Sequence, residues 1–308
     1  MKKFILLLIF LLLCFSTCDF SSDKYISFPT PDGVIQVAFS VASDMRDYTG
    51  CNPDHFRGVC ETIREGGRSD FMVSAGDLDP PQKTYSTIQE YIDLNYIWYP
   101  VVGNHELETS SFMEWLRAFN QNGLKLPGIV KSGPSGCKET TYSFDYESAH
   151  FIILNEYCDG SNDSATDGDV GDALYQWLLE DLEANSKPVI FVFGHEPAYP
   201  RPDAESGRLR HGTDSLNKYE ENRDRFWNAL ADYGVTAYIC GHTHNYSAVK
   251  INGVWQIDSG HARGTGDTGS RSTFIMIYVM EDQSVWYYTY RLNLSKGKYA
   301  LTESARLR

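Results

Sequence analysis

Basic residues are scarce in this chain: 27 lysines and arginines stand against 41 aspartates and glutamates, a formal net charge of −14. Such a chain has no long-range attraction to phosphate backbones, and no lysine/arginine cluster outlines a compensating groove, so nucleic acid is not an expected partner. Cysteine is sparse too, 7 in 308 residues, and none falls at zinc-finger spacing. Missing as well is an apolar run that spans a bilayer comfortably. The run from Phe4 to Phe15 follows two lysines and has the length of a secretory signal core. Walker spacing, internal repeats and low-complexity tracts are absent.

Residues 1–17 therefore read as a signal peptide and 18–30 as a linker, with one domain over 31–308. Cys18, after "FST", is a candidate for lipid modification. The expected location is outside the cytoplasm, either as a bacterial cell-envelope lipoprotein or in the periplasm or medium. Contact with a membrane is expected only through that N-terminal anchor. Export permits disulfides. Proximity pairs Cys51 with Cys60 and Cys137 with Cys158, leaving Cys240 as a buried thiol, although four cysteines allow three connectivities.

Short apolar runs recur along the domain, and each ends in a polar loop: "VIQVAFSVAS", "FMVSAGD", "IWYPVVGNHE", "VIFVFGHE" and "TAYICGHTH". These read as buried strands whose C-terminal ends deliver functional side chains. Between them, Asp172–Asn185 places Leu174, Trp177, Leu178 and Leu182 at helical spacing, and "RDRFWNALADYG" closes on Gly234 as a C-cap. Alternating strands and amphipathic helices predict a layered α/β domain. The tail has three strand-like runs with no helix between, which predicts antiparallel sheet there.

The strand ends carry Asp44, Asp77, Asn104 with His105, His195, and His242 with His244. Carboxylate, amide oxygen and neutral imidazole are the donors that one or two divalent cations require. The ordered series "SD" at 43–44, "GD" at 76–77, "GNHE" at 103–106, "GHE" at 194–196 and "GHTH" at 241–244 resembles the calcineurin-like metallophosphoesterase superfamily. "FGHEPAYP" is most similar to its purple-acid-phosphatase-like bacterial branch.

The resemblance implies a four-layer α/β fold, two mixed β-sheets packed as a sandwich flanked by helices, with metals at the strand ends. It implies Asp44 and His244 at a first metal position, Asp77 bridging, and Asn104, His195 and His242 at a second. The cations would be manganese, iron, zinc or magnesium, and metal-bound hydroxide would attack a small phosphorylated substrate. His105 would steady the phosphoryl oxygens and protonate the leaving group. Glu106 could orient it, an ordinary exposed glutamate being the plainer reading.

The chain departs from the superfamily pattern at two places. The first motif there is Asp-x-His, and purple acid phosphatases place a tyrosine three residues after the bridging aspartate; here those positions hold Arg46 and Pro80, neither of which can ligate. Asp79, Asp47 or His55 could replace the ligand. Alternatively, Arg46 binds the substrate phosphate at a weak first position, or simply faces solvent. Tyr199, His211 and His261, and the loops 159–171 and 203–222, are further candidates to border the pocket, with a structural role the plainer reading for each. The activity expected is phosphate monoester hydrolysis; the alternatives are phosphodiester hydrolysis of nucleotides or lipid head groups, and a catalytically degenerate binding protein.

Overall fold

The computed structural model describes residues 28–46, 56–163 and 167–308. The leader with Cys18, and Asp47, Cys51 and His55, lie outside the described residues. The chain forms β1 (Ile35–Ala42), α1 (Phe56–Gly66), β2 (Phe71–Ser74), α2 (Pro81–Tyr91), β3 (Ile97–Pro100), α3 (Ser110–Phe119), β4 (Ile129–Ser132), β5 (Tyr142–Tyr146) and β6 (Ala149–Ile153). Then follow α4 (Asp172–Ala184), β7 (Val189–Phe193), α5 (Glu220–Asp232), β8 (Ala237–Cys240), β9 (Tyr246–Ile251), β10 (Val254–Ser259), β11 (Thr273–Met280), β12 (Val285–Asn293) and β13 (Lys298–Arg306).

Two mixed sheets result, ordered β13-β12-β11-β1-β2-β3 and β4-β5-β6-β7-β8-β10-β9. Strand alternation explains the layering. In β1, Val37, Phe39 and Val41 point between the sheets, while Ala38 and Ala42 face the side covered by α1. In β7, Val189, Phe191 and Phe193 join the same central core, and Ile190 and Val192 lie against α4 and α5. The order is thus helix, sheet, sheet, helix, as expected for a four-layer sandwich.

Rings dominate the central layer. Phe39 sits opposite Phe71 in the parallel β1–β2 register with ring centroids 5.3 Å apart, and Phe151 meets Phe144 at 4.8 Å and Phe191 at 5.4 Å. Each such side chain contributes about 2–3 kcal/mol by leaving water. This rigid seam holds the strand ends of both sheets in register.

The tail is antiparallel, as expected, over β9–β10 and β11–β13, but it is divided between the two sheets. β10 pairs parallel with β8 and antiparallel with β9 in the second sheet, whereas β11, β12 and β13 form an antiparallel run in the first. Val254 and Ile257 of β10 are buried, and so is the whole of β11, so both strands satisfy apolar periodicity equally in different sheets. Cys137 and Cys158 form a disulfide, as expected, and Cys240 is a buried thiol. Cys60 is also a buried free thiol, on the inner face of α1, rather than half of a second disulfide.

Candidate metal centre

Every sequence-selected ligand lies just beyond the C-terminal end of a strand, and both sheets contribute. β1, β2 and β3 present Asp44, Asp77 and Asn104; β7 and β8 present His195, His242 and His244. Asp44, Asp77, His195, His242 and His244 are all buried. Asp44, Asp77 and His244 each offer an atom within 4.8 Å of the others, a geometry able to hold one cation. His244 Nε2 is 3.3 Å from Asp44 Oδ1, and the Asp44 Oδ2 accepts the His242 backbone N–H at 2.9 Å. On the other side of Asp77, His195 Nε2 lies 3.3 Å from Asp77 Oδ1 and 3.3 Å from Asn104 Oδ1, and the His242 ring is 5.1 Å from that of His195. Asp77 is therefore common to two donor sets.

The local backbone is adapted to this convergence. Asp44, Asp77, His242 and His244 all have left-handed φ, at 51°, 54°, 69° and 57°. Non-glycine residues held there cost about 1–3 kcal/mol each and persist only where surrounding contacts enforce them. The glycines before the ligands have a packing reason: a Cβ on Gly103 would overlap Asp77, and one on Gly76, itself at φ 86°, would overlap the His195 ring.

Electrostatics favours a cation. Burial opposes ionisation of Asp44, but the charges of His244, His195 and His242 more than offset it and hold its pKa below the ordinary carboxylate range. Asp77 is pushed up to about 7 by burial and by Asp44 beside it. Burial and the neighbouring imidazoles keep His242 well below its usual value, so its ring nitrogen is a neutral donor. Asp44 Oδ1 and His242 Nε2 are buried without any hydrogen-bond partner. Such orphaned acceptor atoms are costly in a finished fold, and two of them aimed into one nitrogen/oxygen cluster fit divalent manganese, iron or zinc.

Several supporting residues were not found from sequence. Glu106 is fully buried, contrary to the exposed reading, and it does not orient His105. Its carboxylate accepts the backbone N–H groups of Asp77 at 3.1 Å, Leu78 at 2.8 Å and Gly103 at 2.7 Å, tying two ligand loops together. Glu156, also buried, accepts the N–H groups of His195 at 2.9 Å and Glu196 at 2.8 Å. Asp267, in the connection between β10 and β11, accepts from His244 Nδ1 at 2.7 Å and is gripped by Arg208 at 2.8 Å. That contact fixes the ring so that Nε2 faces the cluster.

Of the other candidates, His105 stands at the edge, 21% exposed, with Nε2 3.6 Å from Asp77 Oδ2 and Nδ1 2.7 Å from Glu108. Arg46 pairs with Asp79, Nε at 2.9 Å from Oδ1, rather than pointing freely to solvent. His211 lies over His242 with centroids 4.2 Å apart, so it borders the site. His261 is buried behind His244, its Nε2 3.1 Å from the Ser270 carbonyl. Tyr199 packs on Trp227 in the helix-covered core of the second sheet.

A helix-flanked double sheet with a carboxylate–imidazole centre at its strand ends defines a class, and comparison with known proteins defines the family. Residues 39–246, more than half of the chain, match the calcineurin-like phosphoesterase family, to which the chain belongs. Mouse tartrate-resistant acid phosphatase type 5 is 35% identical over 111 residues, 33% of this chain and 30% of the relative. An acid phosphatase of Aspergillus ficuum is 25% identical over 187 residues, 49% of this chain and 26% of the relative. The matches thus span about a third or less of these relatives' length. Among solved structures, PhoD superposes over 91% of this chain and 71% of its own at TM-score 0.61 and 13% identity. GAP50, the anchor in the inner membrane complex of Plasmodium, does so over 89% of each chain at 0.56 and 15%. These two likenesses concern the fold.

Proposed function

We propose that this protein is a metal-dependent hydrolase of phosphate monoesters that works outside the cytoplasm. The observation that carries the reading is the pair of orphaned, buried ligand atoms, Asp44 Oδ1 and His242 Nε2, within a cluster whose donors all come from strand ends. The acid phosphatases among the relatives favour a monoester, and the Cys137–Cys158 disulfide suits an oxidising compartment.

Asp44, Asp77 and His244 would hold one cation, and Asp77, Asn104, His195 and His242 the other. Cations there supply Lewis acidity toward phosphoryl oxygens and lower the pKa of water. The protein's own part is positional. Asp77 spans the two donor sets, Glu106 and Glu156 fix the ligand loops from beneath, and Asp267 sets the His244 ring. His105, beside Glu108 at the accessible edge, donates a hydrogen bond to the phosphoryl oxygens and a proton to the departing alkoxide. Arg46, a guanidinium on the Asp44 side, adds positive charge against a bound phosphate.

The test is His105→Ala, assayed on an aryl phosphate beside elemental analysis. Turnover should fall about 10²–10⁴-fold with the metal content unchanged. Metal retained, with the wild type inert on monoester and diester panels, would make the protein a binding module on the same fold.

A further inference from the structure

The two donor sets are unequal. On the assignment above, Asp77, Asn104, His195 and His242 would serve one cation, and among the described residues only Asp44, Asp77 and His244, whose donor atoms converge, would serve the other. One more carboxylate stands close by without joining them. Asp79 follows Asp77 by two residues, interacts electrostatically with Asp77 and His105, and is nearly buried. Its carboxylate is straddled by the Arg46 guanidinium, with Nε 2.9 Å from Oδ1 and 3.0 Å from Oδ2. Arg46 is two residues beyond Asp44, and the Met45 N–H donates to the Asp77 carbonyl at 3.1 Å, so this ion pair joins the Asp44 and Asp77 loops. The side chains of both partners are largely buried, at 12% and 8% exposure, so water screens the pair only weakly. Asp79 Oδ1 nevertheless has no well-aligned hydrogen bond. It is a buried carboxylate oxygen with lone pairs to spare, two residues from the shared donor Asp77.

We propose that Arg46 latches Asp79 away from the three-donor position, so that the protein binds one divalent cation firmly and a second loosely, with Asp79 as a latent ligand of the second. The latch rests on the metallohydrolase reading above. Its physical basis is competition: a carboxylate gripped by a guanidinium gives up that ion pair before it ligates, and a fixed positive charge nearby repels an incoming dication. A loose second position makes occupancy, and with it catalytic competence, follow the ambient cation concentration over the range where that position fills.

The experiment is equilibrium dialysis of chelator-stripped protein against manganese, with bound metal counted by elemental analysis and folding checked by thermal melting. The set is wild type, Arg46→Met, Asp79→Asn and the double variant. In the wild type one manganese should bind at least about tenfold more tightly than the second. Arg46→Met should tighten the second about tenfold or more, and the double variant should bring it back to within about threefold of wild type, because the released carboxylate is gone. Asp79→Asn alone leaves the Arg46 charge unpaired and should loosen the second by more than about threefold while the first stays within about threefold, which keeps the idea testable should Arg46→Met not fold.

Two equally tight cations in the wild type would overturn the latch, as would an Asp79→Asn second constant unchanged from wild type. So would an Arg46→Met gain that survives in the double variant, since that is charge removal without a new ligand. A wild type that takes up no manganese would refute the metallohydrolase reading itself, and the latch with it.

Discussion

Replacing Glu106 by glutamine exchanges one acceptor for a donor at a place with no solvent to absorb the change. In the native protein one carboxylate oxygen accepts from Leu78 N–H and the other from Gly103 and Asp77 N–H. A glutamine can keep its oxygen toward Gly103 and Asp77, but its amide nitrogen then meets the Leu78 N–H, donor against donor. Losing a hydrogen bond and stranding a buried donor costs about 2–4 kcal/mol, an appreciable part of a stability of about 5–15 kcal/mol. For a domain of this size that lowers Tm by about 4–8 °C, readable by scanning fluorimetry. Because the displaced backbone carries Asp77, manganese affinity should fall with it, by about 10–100-fold. Burial and the charges of Asp77 and Asp79 push the Glu106 pKa well above the carboxylate range, so bound cations should stabilise the wild type more than the variant. A Glu106→Gln protein that melts within about 1 °C of wild type and binds manganese equally well would show that the three-way clamp is not what places Asp77.

Further predictions concern the second sheet. His150 is buried between Asp145 at 2.7 Å and Asp181 at 3.0 Å, with Lys187 3.8 Å from Asp145. Burial works against its charge, but the hydrogen bonds and charges of Asp181 and Asp145 prevail and raise its pKa. A raised folded pKa gives stability that is complete below the unfolded value of about 6.5 and fades as pH rises through the folded one. His150→Gln should therefore destabilise by about 1 kcal/mol more at about pH 5.5 than at about pH 9; equal losses in urea midpoints at the two pH values would refute the assignment. Opening the disulfide by Cys137→Ser with Cys158→Ser frees a loop of sequence separation 21 and should cost about 3 kcal/mol. The matching check is that reductant lowers the wild-type Tm while leaving the variant's unchanged.

The strands and the ligands were legible for the same reason. A buried strand shows itself as an apolar run, and a ligand placed immediately after it is found by reading one or two residues further, as with Asp77 after "FMVSAG" and His242 after "TAYICG". What escaped depends on contacts between distant segments. Glu156 supports His195 from 39 residues away and Asp267 supports His244 from 23, and nothing near either acid in sequence marks the partner it meets. Glu106 was misjudged because an acid beside a loop histidine is usually solvated, whereas here three convergent N–H groups make its burial tenable. Likewise, periodicity identifies β10 and β11 as strands but says nothing of which sheet each joins.

The hydrogen bond from the His242 backbone to Asp44 closes a loop of 198 residues. Asp44 leaves β1, which must have its neighbours in the first sheet, and His242 leaves β8, which must have its neighbours in the second, before the two can meet. No fragment ending before residue 242 contains a complete donor set, and a chain with only one sheet assembled has its ligands dispersed. Metal capture is thus a late event in the life of each molecule, and a bound cation records that the entire sandwich, from its second to its penultimate layer, has already closed.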